Sequence, residues 1–126
     1  MPKVSKQSAT KGGDHGPVID REDQLDGYTV NFVEFRQDID ATPLLKGLPD
    51  DRCQCPHWGY VVKGKMTMRF PDHEEVYQAG EAYYAPPGHR PVRHEPGTEI
   101  VQFSPTDDLQ KTQQTMMKNM KALTGG

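Results

Sequence analysis

The chain has little to bury. Only 33% of its 126 residues are hydrophobic and it carries a single Trp; its mean hydropathy is −0.84. Such a balance predicts that part of the length is unpacked tail and the rest is one domain around one modest core. No apolar run approaches the about 18 residues that a membrane span needs. The N-terminal lysines lead into no hydrophobic stretch, so no secretion signal is expected and a cytoplasmic protein is the default. Charge of neither sign dominates: 15 Lys and Arg stand against 18 Asp and Glu, for a formal net charge of −3. That argues against nucleic acid or an anionic membrane as partner. Cysteine is scarce too, with two residues, Cys53 and Cys55. A bridge between residues two apart closes a tight ring of poor geometry. In a reducing compartment they are free thiols or metal ligands.

What is present is a series of short strands and turns. Residues 1–17 are Lys, Ser, Thr, Gly and Asp with almost nothing to bury, and are expected to be disordered. His15 in that tail reads as a solvated loop residue. Tyr28 to Phe35 reads as a strand, with Val30 and Phe32 on one face and Val33 and Phe35 on the other. Asp38 to Arg52 reads as a loop or short packed excursion. Trp58 to Val62 is the next strand, closed by a turn at Lys63-Gly64. Lys65 to Phe70 alternates, which puts Met66, Met68 and Phe70 inward and Lys65, Thr67 and Arg69 outward. Pro71 to Glu74 is a hairpin loop containing His73. Strands follow at Glu75 to Gln78, Ala82 to Ala85, Pro91 to His94 and Ile100 to Phe103. Many short strands at this spacing indicate a barrel or jelly roll. Ser104 then reads as the cap of a C-terminal helix, with Pro105 in its first turn and Asp107 as a capping carboxylate. Leu109, Met116, Met120 and Leu123 repeat at helical spacing as a packing stripe.

The residues that carry chemistry gather at strand ends. Cys53, Cys55 and His57 alternate, and on a regular strand all three face one side. Cys53 and His57 span roughly 13 Å of extended chain, so one ion collects both only if the chain bends, and Pro56 can supply the bend. His89 ends the turn Pro86-Pro87-Gly88 and would arrive from another hairpin. Sulfur with imidazole is a zinc-like set, with zinc preferred over iron(II) as the divalent metal; three protein ligands leave the open position of a catalytic site, and four close it. His94 or Glu95 would move protons. Gly59, mid-strand and on the side of His57, leaves room for a ligand or another backbone. Tyr60 and Tyr84, with Trp58 and Tyr83, are candidates to line a pocket, although only alternate residues can face the inside of a barrel.

Two spacings bear on kinship. Gly80, Pro86 and Gly88 reproduce a glycine, five residues, proline, any residue, glycine. His57 and Gly64 have the spacing of a glutamate followed by a hairpin glycine seven positions on. On these residues the chain resembles the cupin superfamily over roughly 51–103. The resemblance implies an all-β fold, a cupin-type β-barrel (double-stranded β-helix or jelly roll), over 18–104, followed by a C-terminal α-helix and tail over 105–126. It also implies a small-molecule ligand or substrate and a homodimer. The usual ligand slots are changed: histidine holds the glutamate slot at His57, Asp51 and Cys53 stand where a histidine pair is usual, and Pro91 stands where the last histidine is usual. The combination of Cys53, His57 and Pro86 to His89 resembles a pattern in similar single-domain bacterial cupins. Three readings compete: a metal-dependent enzyme on a small molecule, a non-catalytic ligand-sensing or metal-binding module, and a metal-free isomerase using His and Tyr.

Overall fold

A computed structural model describes residues 2–124; the Gly125-Gly126 end expected to close the tail lies outside them. The strands are β1 (Lys11–Asp14), β2 (Val18–Leu25), β3 (Tyr28–Phe35), β4 (His57–Lys63), β5 (Lys65–Arg69), β6 (Glu74–Gln78), β7 (Ala82–Ala85), β8 (Arg90–His94) and β9 (Thr98–Pro105). The helix α1 (Thr106–Thr124) follows, and two 3-10 turns, Thr42–Leu45 and Pro49–Asp51, lie between β3 and β4. Strand pairing is antiparallel throughout, in a six-stranded sheet of order β1-β2-β3-β9-β4-β7 and a three-stranded sheet of order β6-β5-β8.

The two sheets face each other across one apolar interior. Met66, Met68, Phe70 and Tyr77 from the small sheet meet Val61, Tyr83, Ala85 and Ile100 from the large one, with Val33 and Phe35 packed alongside. The alternation read in 65–70 therefore holds for the apolar residues. Thr67, expected outward, is buried. Gly64 makes the β4–β5 turn with φ of 85°, and a Cβ there would stand 2.3 Å from Thr98 Oγ1.

The N-terminal expectation is corrected. Within 1–17, β1 adds to the sheet edge, pairing Lys11 to Asp14 with Glu22 to Ile19. Ala9 is buried, and its carbonyl accepts a hydrogen bond from the Arg21 guanidinium at 2.8 Å. Edge pairing is made by backbone groups and needs no apolar side chains, so composition gave no sign of it. Gly12 allows it: its φ is 95°, and a Cβ there would meet the Asp20 carbonyl. The polar strand β2, VIDREDQL, was also not expected as a strand; it pairs on both edges.

The helix start is corrected as well. Ser104 remains inside β9, and α1 begins at Thr106, whose N–H bonds the Gly27 carbonyl at 3.0 Å and whose hydroxyl lies 2.9 Å from that of Thr29. Asp107 and Asp108 occupy the first turn, where the helix dipole favours them. The stripe is real but shorter than expected. Leu109 is buried and Met116 packs with Leu45, Cys53 and Cys55, whereas Leu123 is exposed. The Asn119 amide then ties the helix to the Leu44 and Lys46 carbonyls at 2.7 and 2.8 Å. Among the described residues no helix is long and apolar enough to cross a membrane.

Candidate metal centre

Three side chains converge where β4, the 53–56 segment and the turn before β8 meet. His57 is the first residue of β4. Cys53 is held against the turn by two backbone bonds: its N–H donates to the His89 carbonyl (3.0 Å), and its carbonyl accepts from Gly88 (2.8 Å). The Pro-Pro-Gly turn makes this pairing possible, because Gly88 takes φ of 98°. One ligand atom each from Cys53, His57 and His89 lies within 4.8 Å of the others. All three residues are buried, at 4, 6 and 1% exposure.

The atoms aimed at one another are ligand atoms. His89 Nδ1–H donates to the Pro86 carbonyl at 2.7 Å, which leaves Nε2 unprotonated. His57 Nδ1 lies 2.7 Å from the Ser104 hydroxyl, and its Nε2 is 3.6 Å from Cys53 Sγ. Zinc bonds of about 2.3 Å to sulfur and about 2.05 Å to nitrogen at a tetrahedral angle separate S and N by about 3.6 Å. The donor set and its spacing thus fit a divalent metal with mixed sulfur and nitrogen ligands. Ser104 and the Pro86 carbonyl supply the outer hydrogen bonds that orient ligating imidazoles. Thr112 on α1 places its Oγ1 4.0 Å from Cys53 Sγ, so the helix covers the cluster.

The electrostatics agree. Burial, with His89 close by, pushes the His57 imidazole down to about 3. Burial also lowers His89, partly offset by its bond to Pro86. Both imidazoles are therefore neutral near pH 7, the form in which an imidazole ligates a metal. The Cys53 thiol is pushed up by burial, so a metal that binds there must displace its proton.

Several expected site residues lie elsewhere. Cys55 is not in the cluster: it packs with Leu45 and Leu109, its Sγ donates to the Pro56 carbonyl (3.4 Å), and burial pushes it up to about 12. The alternation that put it beside Cys53 assumed a regular strand, and 53–56 is not one. The room left by Gly59 is filled from within, since a Cβ there would stand 2.3 Å from the Tyr83 ring. Tyr60 and Tyr84 are exposed on the outer face of the large sheet, opposite in parity to His57 and Tyr83. His94 stacks on Phe35 at 3.9 Å and donates through Nδ1–H to the Ile39 carbonyl at 2.8 Å. Glu95 follows it, exposed, beyond β8. Neither joins the Cys53, His57 and His89 cluster. Ser104 and Thr112 were missed as site residues. Ser104 shares the parity of Ile100 on β9, which was the one available signal.

No protein-family model matches the chain, and no curated protein matches it by sequence. Solved structures do. The chain is similar to an RmlC-like cupin from Shewanella frigidimarina, at 19% identity and a TM-score of 0.56, over 83% of this chain and 92% of that one. It is similar to the polyketide cyclase RemF from Streptomyces resistomycificus at 19% identity and a TM-score of 0.57, over 83% and 79% of the two chains. KdgF from Halomonas matches at 22% identity and a TM-score of 0.53, over 76% and 86%. The fold is therefore that of the cupin superfamily, an all-β barrel with a C-terminal helix. Within that fold, this chain places a buried cysteine and two histidines, Cys53, His57 and His89, close enough to share one metal ion.

Proposed function

We propose that this cupin barrel holds a divalent metal, zinc in preference to iron(II), on Cys53, His57 and His89, and binds or acts on a small molecule there. The observation that carries the reading is the convergence of those three buried ligand atoms, with Cys53 Sγ and His57 Nε2 3.6 Å apart. When bound, such a metal supplies Lewis-acid polarisation of a carbonyl or of water. The chain's own residues do the rest. Ser104 orients His57, the Pro86 carbonyl fixes the tautomer of His89, and Thr112 and Leu109 screen the cluster from water.

A second reading, a non-catalytic metal-binding module, is favoured by the depth of burial and by the cover that α1 provides. Cobalt(II) separates the two. Cobalt in a Cys/His/His site is expected to show thiolate charge-transfer and tetrahedral d–d bands, and added imidazole or azide shifts those bands if a fourth position is open. Bands that ignore both additives favour the closed module; the absence of any thiolate band removes the metal site.

The aromatic row Trp58, Tyr60, Tyr84 and Phe103 lies exposed on the outer face of the large sheet, a kind of patch that marks interaction surfaces. We propose that two copies pair through it as a homodimer. Sedimentation velocity is expected to give a dimer that Trp58→Lys converts to monomer; a monomeric unaltered chain at micromolar concentration removes this proposal.

A further inference from the structure

The walls around Cys53, His57 and His89 are not held equally. With exposures of 4, 6 and 1%, these residues offer almost no surface to a small molecule in the closed form, so access requires one wall to move. His57 stands on β4, which is laddered to β7 and β9. Ser104 stands on β9, laddered to β3 and β4. Cys53 is bonded through its backbone to Gly88 and His89. The helix α1 is the exception. Its first residue, Thr106, donates its N–H to the Gly27 carbonyl; beyond that residue, no backbone hydrogen bond joins α1 to the barrel among the described residues.

What holds the rest of α1 is one face of side chains. Leu109, Thr112, Gln113, Met116 and Asn119 share that face by their spacing of three and four. Leu109 is buried against Leu45, Cys53 and Cys55, with Met116 alongside. The Thr112 hydroxyl lies 4.0 Å from Cys53 Sγ. The Gln113 amide donates to Glu22 at 3.2 Å, and the Asn119 amide donates to the Leu44 and Lys46 carbonyls at 2.7 and 2.8 Å. Three of the five residues are polar, and among the described residues of α1 only Leu109 and Thr112 are buried. Little apolar area therefore fixes the helix, and water replaces its side-chain hydrogen bonds at small net cost. An element held in this way opens locally at a free energy below that of global unfolding.

We propose that α1 is a hinged cover over the cluster. It swings about its fixed start at Thr106, with Asn119 as the latch on the Leu44 and Lys46 carbonyls, and this opening is the route by which an ion or small molecule reaches Cys53, His57 and His89. The access role rests on the reading of those three residues as a metal site; the hinge itself does not.

Cys55 is a native probe of the opening. It is 1% exposed, packs with Leu109, and lies outside the three-ligand cluster. N-ethylmaleimide added to the chelator-treated full chain, with mass spectrometry locating the adduct, is expected to label Cys55 at a rate that hardly changes with urea below the unfolding transition, because local opening exposes little surface. Asn119→Ala removes the latch and should speed this labelling about tenfold. Ile100→Val is the contrast: it thins the other core cluster, lowers global stability and should leave the labelling within about twofold of the unaltered rate. Zinc release to a chelator from the zinc-loaded chain should also quicken about tenfold in Asn119→Ala. On the unaltered chain, hydrogen exchange should be faster for the α1 amides than for those of β4 and β9. Labelling that Ile100→Val speeds as much as Asn119→Ala does, labelling that Asn119→Ala leaves unchanged, or α1 amides as protected as those of β4 and β9 overturns the hinge. Faster labelling with unchanged zinc release overturns α1 as the route to the ion. If no chain retains zinc while Asn119→Ala still speeds the labelling, the metal reading falls and the hinge stands.

Discussion

Cys53→Ala and His57→Ala chains, purified without chelators, are expected to carry no stoichiometric metal, whereas the unaltered chain carries close to one equivalent. Each substitution removes one of three converging ligand atoms, and two remaining donors do not hold zinc against buffer. Apparent zinc binding in closed Cys/His sites is about 10–16 kcal/mol near neutral pH, so the loss should appear as an all-or-none change in elemental analysis. Cys55→Ala provides the contrast. Its sulfur lies in the packing beneath α1, and that variant should lose some stability and keep its metal. Ser104→Ala, which removes the partner of His57 Nδ1, should weaken metal binding about 10–100-fold without abolishing it. Equal metal content in the Cys53 and His57 variants and the unaltered chain would remove the proposed centre.

The metal-free chain should become acid-labile well above the range in which carboxylates titrate. His57 ordinarily ionises near 6.5 and is held down to about 3 in the fold. As pH falls below 6.5 the unfolded chain takes up a proton that the folded chain refuses, so stability declines progressively from about pH 6.5 toward about 3. For His57 alone the full span amounts to roughly 5 kcal/mol, at about 1.4 kcal/mol per pH unit. His89 and His94 are lowered by burial in the same sense. At the other limb the sign reverses. Cys53 and Cys55 are raised above their ordinary value of 9.0, so stability falls as pH climbs past that value. Denaturant titrations in chelator at pH 7, 6, 5 and 4.5 (values chosen to stay above ordinary carboxylate ionisation) should show the acid decline, and His57→Gln should flatten it. Constant stability across that range would contradict a buried neutral His57.

Much of the architecture was legible in the chain because it rests on local chemistry. Gly80 and Gly88 mark the turns before and after β7, where glycine takes a positive φ most easily, and both do take it. The alternation of Met66, Met68 and Phe70 predicted a one-faced strand, and those three form part of the core. Cys53, His57 and His89 were identifiable as candidates from residue type and from the bend that Pro56 permits. What the sequence could not supply was the partner of each strand. Period two tells which residues share a face, but not which face is inside. Only the pairing of β4 with β7 and β9 sent His57 and Tyr83 inward and Tyr60 and Tyr84 outward. The same pairing gave Gly59 to Tyr83 rather than to a ligand. Strand β1 at the sheet edge, and the polar β2 between it and β3, are held by backbone hydrogen bonds, which leave no apolar signature. Cys53 and Cys55 differ in surroundings because the 53–56 segment is an irregular connection, pinned at Cys53 by one backbone bond to His89 and one from Gly88. Residue chemistry thus determined what the site could be made of, and long-range backbone pairing decided which of those residues meet.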